Sequence, residues 1–219
     1  MALLVSLKVA LCATALVQPP GILLGLLLAR RDFPAKSLVE TFTALPLVLP
    51  PTAVGYLLLL ILSRHGALGP SRLGIDLDLL FTWKAAAIAS AIMALPLVAR
   101  TARVAFEQVD RRLESMARTL GLGPLRTFLE VTVPLARRGL IASGILGFSR
   151  ALGEFGATVI VAGNIPGKTQ TLALAIFSDM QTGRDDEALM LSGITILLAF
   201  SALWAVERLL RERPAGADP

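Results

Sequence analysis

The sequence predicts an all-α, polytopic membrane protein, a bundle of about five transmembrane helices with one long loop between the third and the fourth. Three observations lead there. Hydrophobic residues fill 55% of the 219 positions and charged residues only 17%, against about 25% charged in an ordinary soluble domain. The apolar residues fall in long charge-free blocks rather than along one stripe of an amphipathic helix, and a block of about 20 such residues matches the thickness of a bilayer. Lys and Arg concentrate in alternate connections, as membrane insertion requires.

The first block, 9–29, has 21 residues and ends at Arg30 and Arg31. A secretory signal is shorter and ends in a small-residue cleavage site, so this block reads as a span. The second, 41–63, has 23 residues. The third has a charge-free core of only 15 residues, 85–99. Lys84 and Arg100 can extend their heads to the two interfaces, which gives a span of about 82–103. The fourth, 139–163, carries Arg150 and Glu154 inside it, and the fifth, 188–206, has 19 residues. One membrane domain, 1–213, with a short tail at 214–219 is the simplest division. Proline removes a backbone donor and interrupts a helix, so interruptions are expected at Pro19-Pro20-Gly21 in the first span, at Pro46 and Pro50-Pro51 in the second, and at Pro96 in the third. They serve either packing geometry or a bent helix that lines a pathway.

Five spans place the termini on opposite sides. With the N-terminus outside, the cytoplasmic segments hold 14 Lys or Arg and the outer ones 6, with Arg150 inside a span. The positive-inside rule therefore favours an outside N-terminus and a cytoplasmic C-terminus. The formal charge of +5 reflects this asymmetry. No stretch interleaves basic and aromatic residues as a nucleic-acid surface would. Cys12 is the only cysteine, so no intrachain disulfide can form.

The loop at 107–135 carries the most information. Leu113, Met116, Ala117 and Leu120 recur at helical spacing and form one apolar stripe, with Arg111, Arg112, Glu114, Ser115 and Arg118 at the other positions. Gly121 is a natural helix stop, reinforced by Gly123-Pro124. A second short helix is expected over 125–131, ended by Pro134 before the fourth span. Two amphipathic helices between spans can lie on lipid, or they can dock in the groove of a cytosolic partner.

In the fourth span Arg150 and Glu154 are four apart, so on a continuous helix they share a face. Each alone near the bilayer centre costs about 2.5–3.5 kcal/mol. Pairing reduces that cost. The pair either fixes the packing of the helix or lines the substrate path.

The run from Glu114 to Gly121, followed by Val131-Thr-Val-Pro134, resembles the coupling-loop signature of ABC importer permeases. Gly121, Val131 and Pro134 stand at its spacing and Ala117 fills its second alanine. Ser115 occupies the usual Glu position, with Glu114 one residue earlier, and Met116 replaces the first alanine. The stretches 150–158 and 163–172, and Leu45-Pro-Leu-Val-Leu-Pro-Pro51 followed by Gly55-Tyr56, resemble the molybdate subgroup, and the sulfate and thiosulfate permeases less closely. The resemblance runs from Ser6 to about Arg213. It implies a permease subunit in a bacterial cytoplasmic membrane, paired with a second copy of itself and embedded in lipid. A cytosolic ABC ATPase dimer would carry ATP and magnesium, and a periplasmic molybdate-binding protein would deliver the oxyanion. Glu114, Ser115, Ala117, Gly121 and Pro134 would then couple to the ATPase, while Arg150 and Glu154 would line or gate the pathway. Permeases for tungstate or sulfate, and an ATP-independent channel or carrier, are the alternatives.

Other chemistry finds little support. Gly163-Asn-Ile-Pro-Gly-Lys-Thr169 has three residues between its glycines where a P-loop has four, and it follows a membrane span rather than a strand. His65 is the only histidine, so the Ser and Thr residues of the spans lack the usual base of a hydrolase. No cluster of metal ligands is present. Neither an enzyme nor a cofactor bound by this chain is expected.

Overall fold

The computed structural model describes residues 1–68 and 79–211. The predicted tail at 214–219 and Arg72 lie outside the described residues. Among the described residues, four helices are long and apolar enough to cross a membrane: Ala2–Arg30, Trp83–Glu107, Pro124–Leu152 and Asp185–Leu210. A bent pair, Lys36–Val48 and Pro51–Leu62, supplies a fifth candidate. In chain order the described helices are α1 (Ala2–Arg30), α2 (Lys36–Val48), α3 (Pro51–Leu62), α4 (Trp83–Glu107), α5 (Arg111–Thr119), α6 (Pro124–Thr127), α7 (Val133–Leu152), α8 (Gly156–Ala162), α9 (Leu172–Gln181) and α10 (Asp185–Arg211), with a π-helical turn at Phe128–Thr132 between α6 and α7.

α4 is the centre of the bundle. Two thirds of its most apolar window (67%) is buried, against 6% for α10. Its inward face is largely alanine, with Ala85, Ala86, Ala89, Ala94, Ala99 and Ala102 all buried. Without a hydrophobic drive between helices in lipid, small residues that let backbones approach supply the van der Waals contact. α1 and α7 pack on α4, and glycine makes the approach close. A Cβ on Gly139 of α7 would stand 2.4 Å from that of Ala105. α8 packs on α3 and α4, while α10 packs on α7 and α9.

Polar ties close the bundle. Gln18 in α1 donates to the Leu140 carbonyl (2.8 Å) and to Ser143 Oγ (3.0 Å). The Leu172 amide at the start of α9 donates to Ser6 Oγ at 2.6 Å. Lys8 Nζ lies 3.7 Å from the ring centroid of Trp83. Arg103 reaches Glu40 of α2 at 2.6 Å and Glu107 at 2.7 Å. The start of α1, the start of α4 and the 163–172 loop therefore share one end of the bundle. The other end gathers Arg30, Glu107, α5 and α6, and Leu210 of α10 beside Asp110 and Leu135. The two ends of the described chain accordingly lie at opposite ends of the molecule.

Several boundaries differ from expectation. α1 runs unbroken through Pro19, Pro20 and Gly21, and α4 likewise through Pro96. Pro46 lies inside α2. The second expected span, 41–63, is two helices that meet at 109°. Leu49 and Pro50 are extended, with ψ of 142° and 131°, because a residue before proline is pushed out of the helical region. Pro51 then starts α3, where its missing N–H costs nothing. α4 continues past the charge-free core to Glu107. The fourth span begins well before 139 and stops early: α7 ends at Leu152, and Gly153, Glu154 and Phe155 separate it from α8. Pro134 does not end a helix. It sits in the first turn of α7, which follows without interruption from the π turn. Pro134 has no N–H for the Glu130 carbonyl, and the ladder widens just there: Val133 N–H donates to the Phe128 carbonyl.

Candidate functional site

The loop builds its rigidity locally. The Asp110 carboxylate caps α5 by accepting from the Arg112 amide at 2.8 Å. At the other end the Gly121 amide donates to the Arg118 carbonyl (3.0 Å) and the Leu122 amide to that of Ala117 (3.1 Å). These two bonds form a Schellman stop, which needs a left-handed residue where Gly121 stands with φ +90°. Gly123 and Pro124 then open α6.

α5 has two faces. Ala117 and Glu114 turn toward the bundle. One Glu114 carboxylate oxygen accepts both from Arg30 Nη2 at 2.7 Å and from Thr132 Oγ1 at 2.6 Å. The Arg30 and Glu114 side chains are each only 16% exposed. Arg111 adds a contact of 3.3 Å to the Ala29 carbonyl near the end of α1. Phe128 of the π turn packs on the ring of Phe106 in α4 (centroids 6.4 Å apart). The other face is open: Leu113, Met116 and Leu120, with Leu125 and Leu129 beyond the turn, are exposed. The apolar stripe expected from spacing therefore splits, with Ala117 inward and the three large residues outward. Ser115 is exposed with its hydroxyl on the Arg111 carbonyl (3.1 Å), and Pro134 is exposed at the head of α7. Asp32, in the connection after α1, accepts from Lys36 at 2.8 Å, and that ammonium holds its carboxyl below the usual carboxylate range.

Arg150 and Glu154 lie elsewhere. Pro134 and Arg150 are 16 residues apart on one helix, roughly 24 Å at helical rise. The pair meets at 2.7 Å, with Glu154 2% and Arg150 28% exposed. They do not share one continuous helix, since Glu154 falls in the break. Its second oxygen accepts from the Ala157 amide at 2.9 Å and so caps α8. This break adjoins that between α2 and α3: a Cβ on Gly156 would stand 2.8 Å from Pro51 Cβ. Two interrupted helices thus touch at their interruptions, an arrangement tolerated inside a membrane only where protein or a polar cavity surrounds it. The sequence singled out Arg150, Glu154 and the Pro50-Pro51 break separately. It did not reveal their neighbours, nor that Arg30 and Thr132 meet Glu114.

These features define a polytopic helical membrane protein with interrupted spans around one central helix and a stiff helical loop at one end. The chain belongs to the family described as the binding-protein-dependent transport system inner membrane component, whose model matches residues 21–211. It is 43% identical over 217 residues to the molybdenum transport system permease protein ModB of Escherichia coli K12, covering 97% of this chain and 95% of that protein. The ModB protein of Haemophilus influenzae is 40% identical over 96% of this chain and 95% of its own length. The sulfate transport system permease protein CysW of Synechococcus elongatus is more distant, at 35% over 81% of this chain and 63% of its own. Among solved structures, an amino acid ABC transporter superposes with a TM-score of 0.64 at 19% identity, covering 97% of this chain and 92% of that one. The MetNI methionine ABC transporter in an inward-facing form also gives 0.64, at 16% identity over 95% of this chain and 96% of that one. Both support the fold.

Proposed function

We propose that this chain is the membrane-spanning subunit of an ABC importer for molybdate. Two copies would form the pathway, an extracytoplasmic binding protein would deliver the oxyanion, and a pair of cytosolic ATPases would hold the ATP and magnesium. The substrate assignment follows the 43% identity to a molybdenum permease along nearly the whole chain. The observation that carries the mechanism is the build of the loop. α5 is capped at both ends, fastened to α1 and to the head of α7, and presents Leu113, Met116 and Leu120 outward. An apolar helix face of this kind fits a groove on a soluble partner. Force applied there reaches the spans because a capped helix transmits it where a floppy loop would dissipate it. Alternating access follows, with the interrupted helices at Pro51 and Gly156 as the part of the bundle that rearranges and Arg150 and Glu154 at its gate.

In this reading the loop end is cytoplasmic and the N-terminus lies outside, in keeping with the 14-to-6 division of basic residues. The test is uptake into proteoliposomes containing the chain, its ATPase and its binding protein. Molybdate should accumulate only with ATP and the binding protein present, and excess sulfate should compete poorly. Uptake without ATP would favour a channel or carrier, and equal competition by sulfate would reassign the substrate.

A further inference from the structure

We infer that Glu114 is a positioning residue that ties α5 to the unit of α1, α4 and α7, by joining α5 to the end of α1 and to the π turn through one carboxylate oxygen. The inference rests on the transport reading above but concerns a contact that no partner need touch. Glu114 faces away from the exposed side of α5. Its Oε1 is shared by Arg30 and Thr132, whose positions in the chain are 84 residues before it and 18 after it. Thr132 is buried, and Arg111 grips the Ala29 carbonyl beside Arg30.

The geometry gives a load path. A push on Leu113, Met116 or Leu120 moves α5. The link at Glu114 carries the displacement to α1 and to the head of α7 together. Both helices are packed on α4 with too little space to slide independently, since a Cβ on Gly25 or Gly139 would already overlap Ala102 or Ala105. Without the carboxylate, α5 keeps only its chain connections and the 3.3 Å contact of Arg111 with the Ala29 carbonyl, so less of its displacement reaches the α1–α4–α7 unit. A carboxylate shared by two donors is suited to the task, because charge-assisted bonds are short and directional.

The experiment has two arms. In the first, the complete transporter in proteoliposomes is assayed for molybdate moved per ATP hydrolysed, as wild type, Glu114→Ala, Thr132→Val, Arg30→Glu, Glu114→Arg, and the exchanged double variant Arg30→Glu/Glu114→Arg. Glu114→Ala should lower the ratio at least fivefold and Thr132→Val about twofold. The double variant should recover ground over both of its parents. In the second, spin labels at the exposed positions Thr119 and Leu23 report the distance between α5 and α1 in the same complex. Its distribution should broaden in Glu114→Ala and narrow again in the double variant. An unchanged ratio or an unchanged distribution in Glu114→Ala would overturn the inference, as would a double variant no better than its parents. If wild-type uptake proves independent of ATP, the transport reading has failed. The distance arm still decides whether Glu114 holds α5 to α1.

Discussion

Gly25 of α1 lies so close to Ala102 of α4 that a Cβ on Gly25 would stand 2.8 Å from the Ala102 Cβ, 2.7 Å from the Arg103 amide nitrogen and 2.9 Å from the Ala99 carbonyl oxygen. None of these is the far end of a flexible side chain, so nothing can swing aside. Gly25→Ala should force the helices apart and cost about 1–3 kcal/mol, the usual penalty of overpacking. Thermal unfolding of the detergent-solubilised protein should show it. Gly123→Ala serves as the control, since nothing stands within 4 Å of a Cβ there. Equal melting of the two variants would contradict the close approach.

Glu154 is the buried partner of Arg150 and also the cap of α8. Glu154→Ala leaves a cation unpaired in the spans and the Ala157 amide without its acceptor. Breaking a fully buried pair from one side costs roughly 3–5 kcal/mol, and with Arg150 28% exposed the cost here falls below that range. Glu154→Gln keeps an acceptor for Ala157 and should lose less. Arg150→Ala/Glu154→Ala removes the stranded charge and should be more stable than Glu154→Ala alone. Folded yield and melting of the three variants give the order, and a double variant worse than Glu154→Ala would sink this account.

Much of this architecture was open to a reader of the sequence, for reasons particular to each element. The first and fifth spans are legible because a bilayer demands a long charge-free run, and the third because Lys84 and Arg100 can extend from its 15-residue core to the two interfaces. α5 is legible because its apolar residues recur at helical spacing and Gly121 marks its end, while the Asp110 cap emerges only from the structure. Proline is ambiguous: Pro19-Pro20 lies inside an intact helix, while Pro50-Pro51 marks a bend of 109°. The difference is tertiary. Gly21 and Gly25 hold α1 against α4 on the C-terminal side of its prolines, whereas the bend at Pro50-Pro51 sets Pro51 against Gly156, whose missing side chain leaves room for it. α9, ten residues with Asp179 in it, is too short to register as a span. The Glu114 link joins residues 84 positions apart, beyond the reach of any periodic pattern.

Gly121 stands at φ +90° with open space around it. A side chain there is strained by the backbone rather than by its neighbours. Gly121→Ala should cost about 1–2 kcal/mol locally and blunt coupling without dislodging the bundle. Gly121→Pro cannot reach a positive φ at all, and it also removes the amide that donates to Arg118. It should abolish substrate-stimulated ATP hydrolysis by the assembled transporter while membrane insertion persists. Both are checked by fractionating membranes and by assaying the ATPase with and without loaded binding protein. Full stimulation in Gly121→Pro would show that the Schellman stop is dispensable.

Leu120 is 81% exposed at the tip of α5, with Met116 exposed one turn earlier. Neither packs in the bundle, so Leu120→Asp and Met116→Asp should leave stability within about 0.5 kcal/mol of wild type. If this face seats in a partner's groove, each carboxylate would be buried against apolar surface without a counter-charge, and a mispaired buried charge costs several kcal/mol. Loss of binding with retained melting temperature is therefore the expected signature, read by co-purification of the ATPase and by the melting curve of the same preparation. The opposite signature, lost melting with retained partner, would mean that the outward face supports the bundle itself. Leu129→Asp extends the test past the Gly121 turn: equal loss of partner at all three positions would map one continuous docking surface. An effect confined to Leu120 and Met116 would limit the surface to α5.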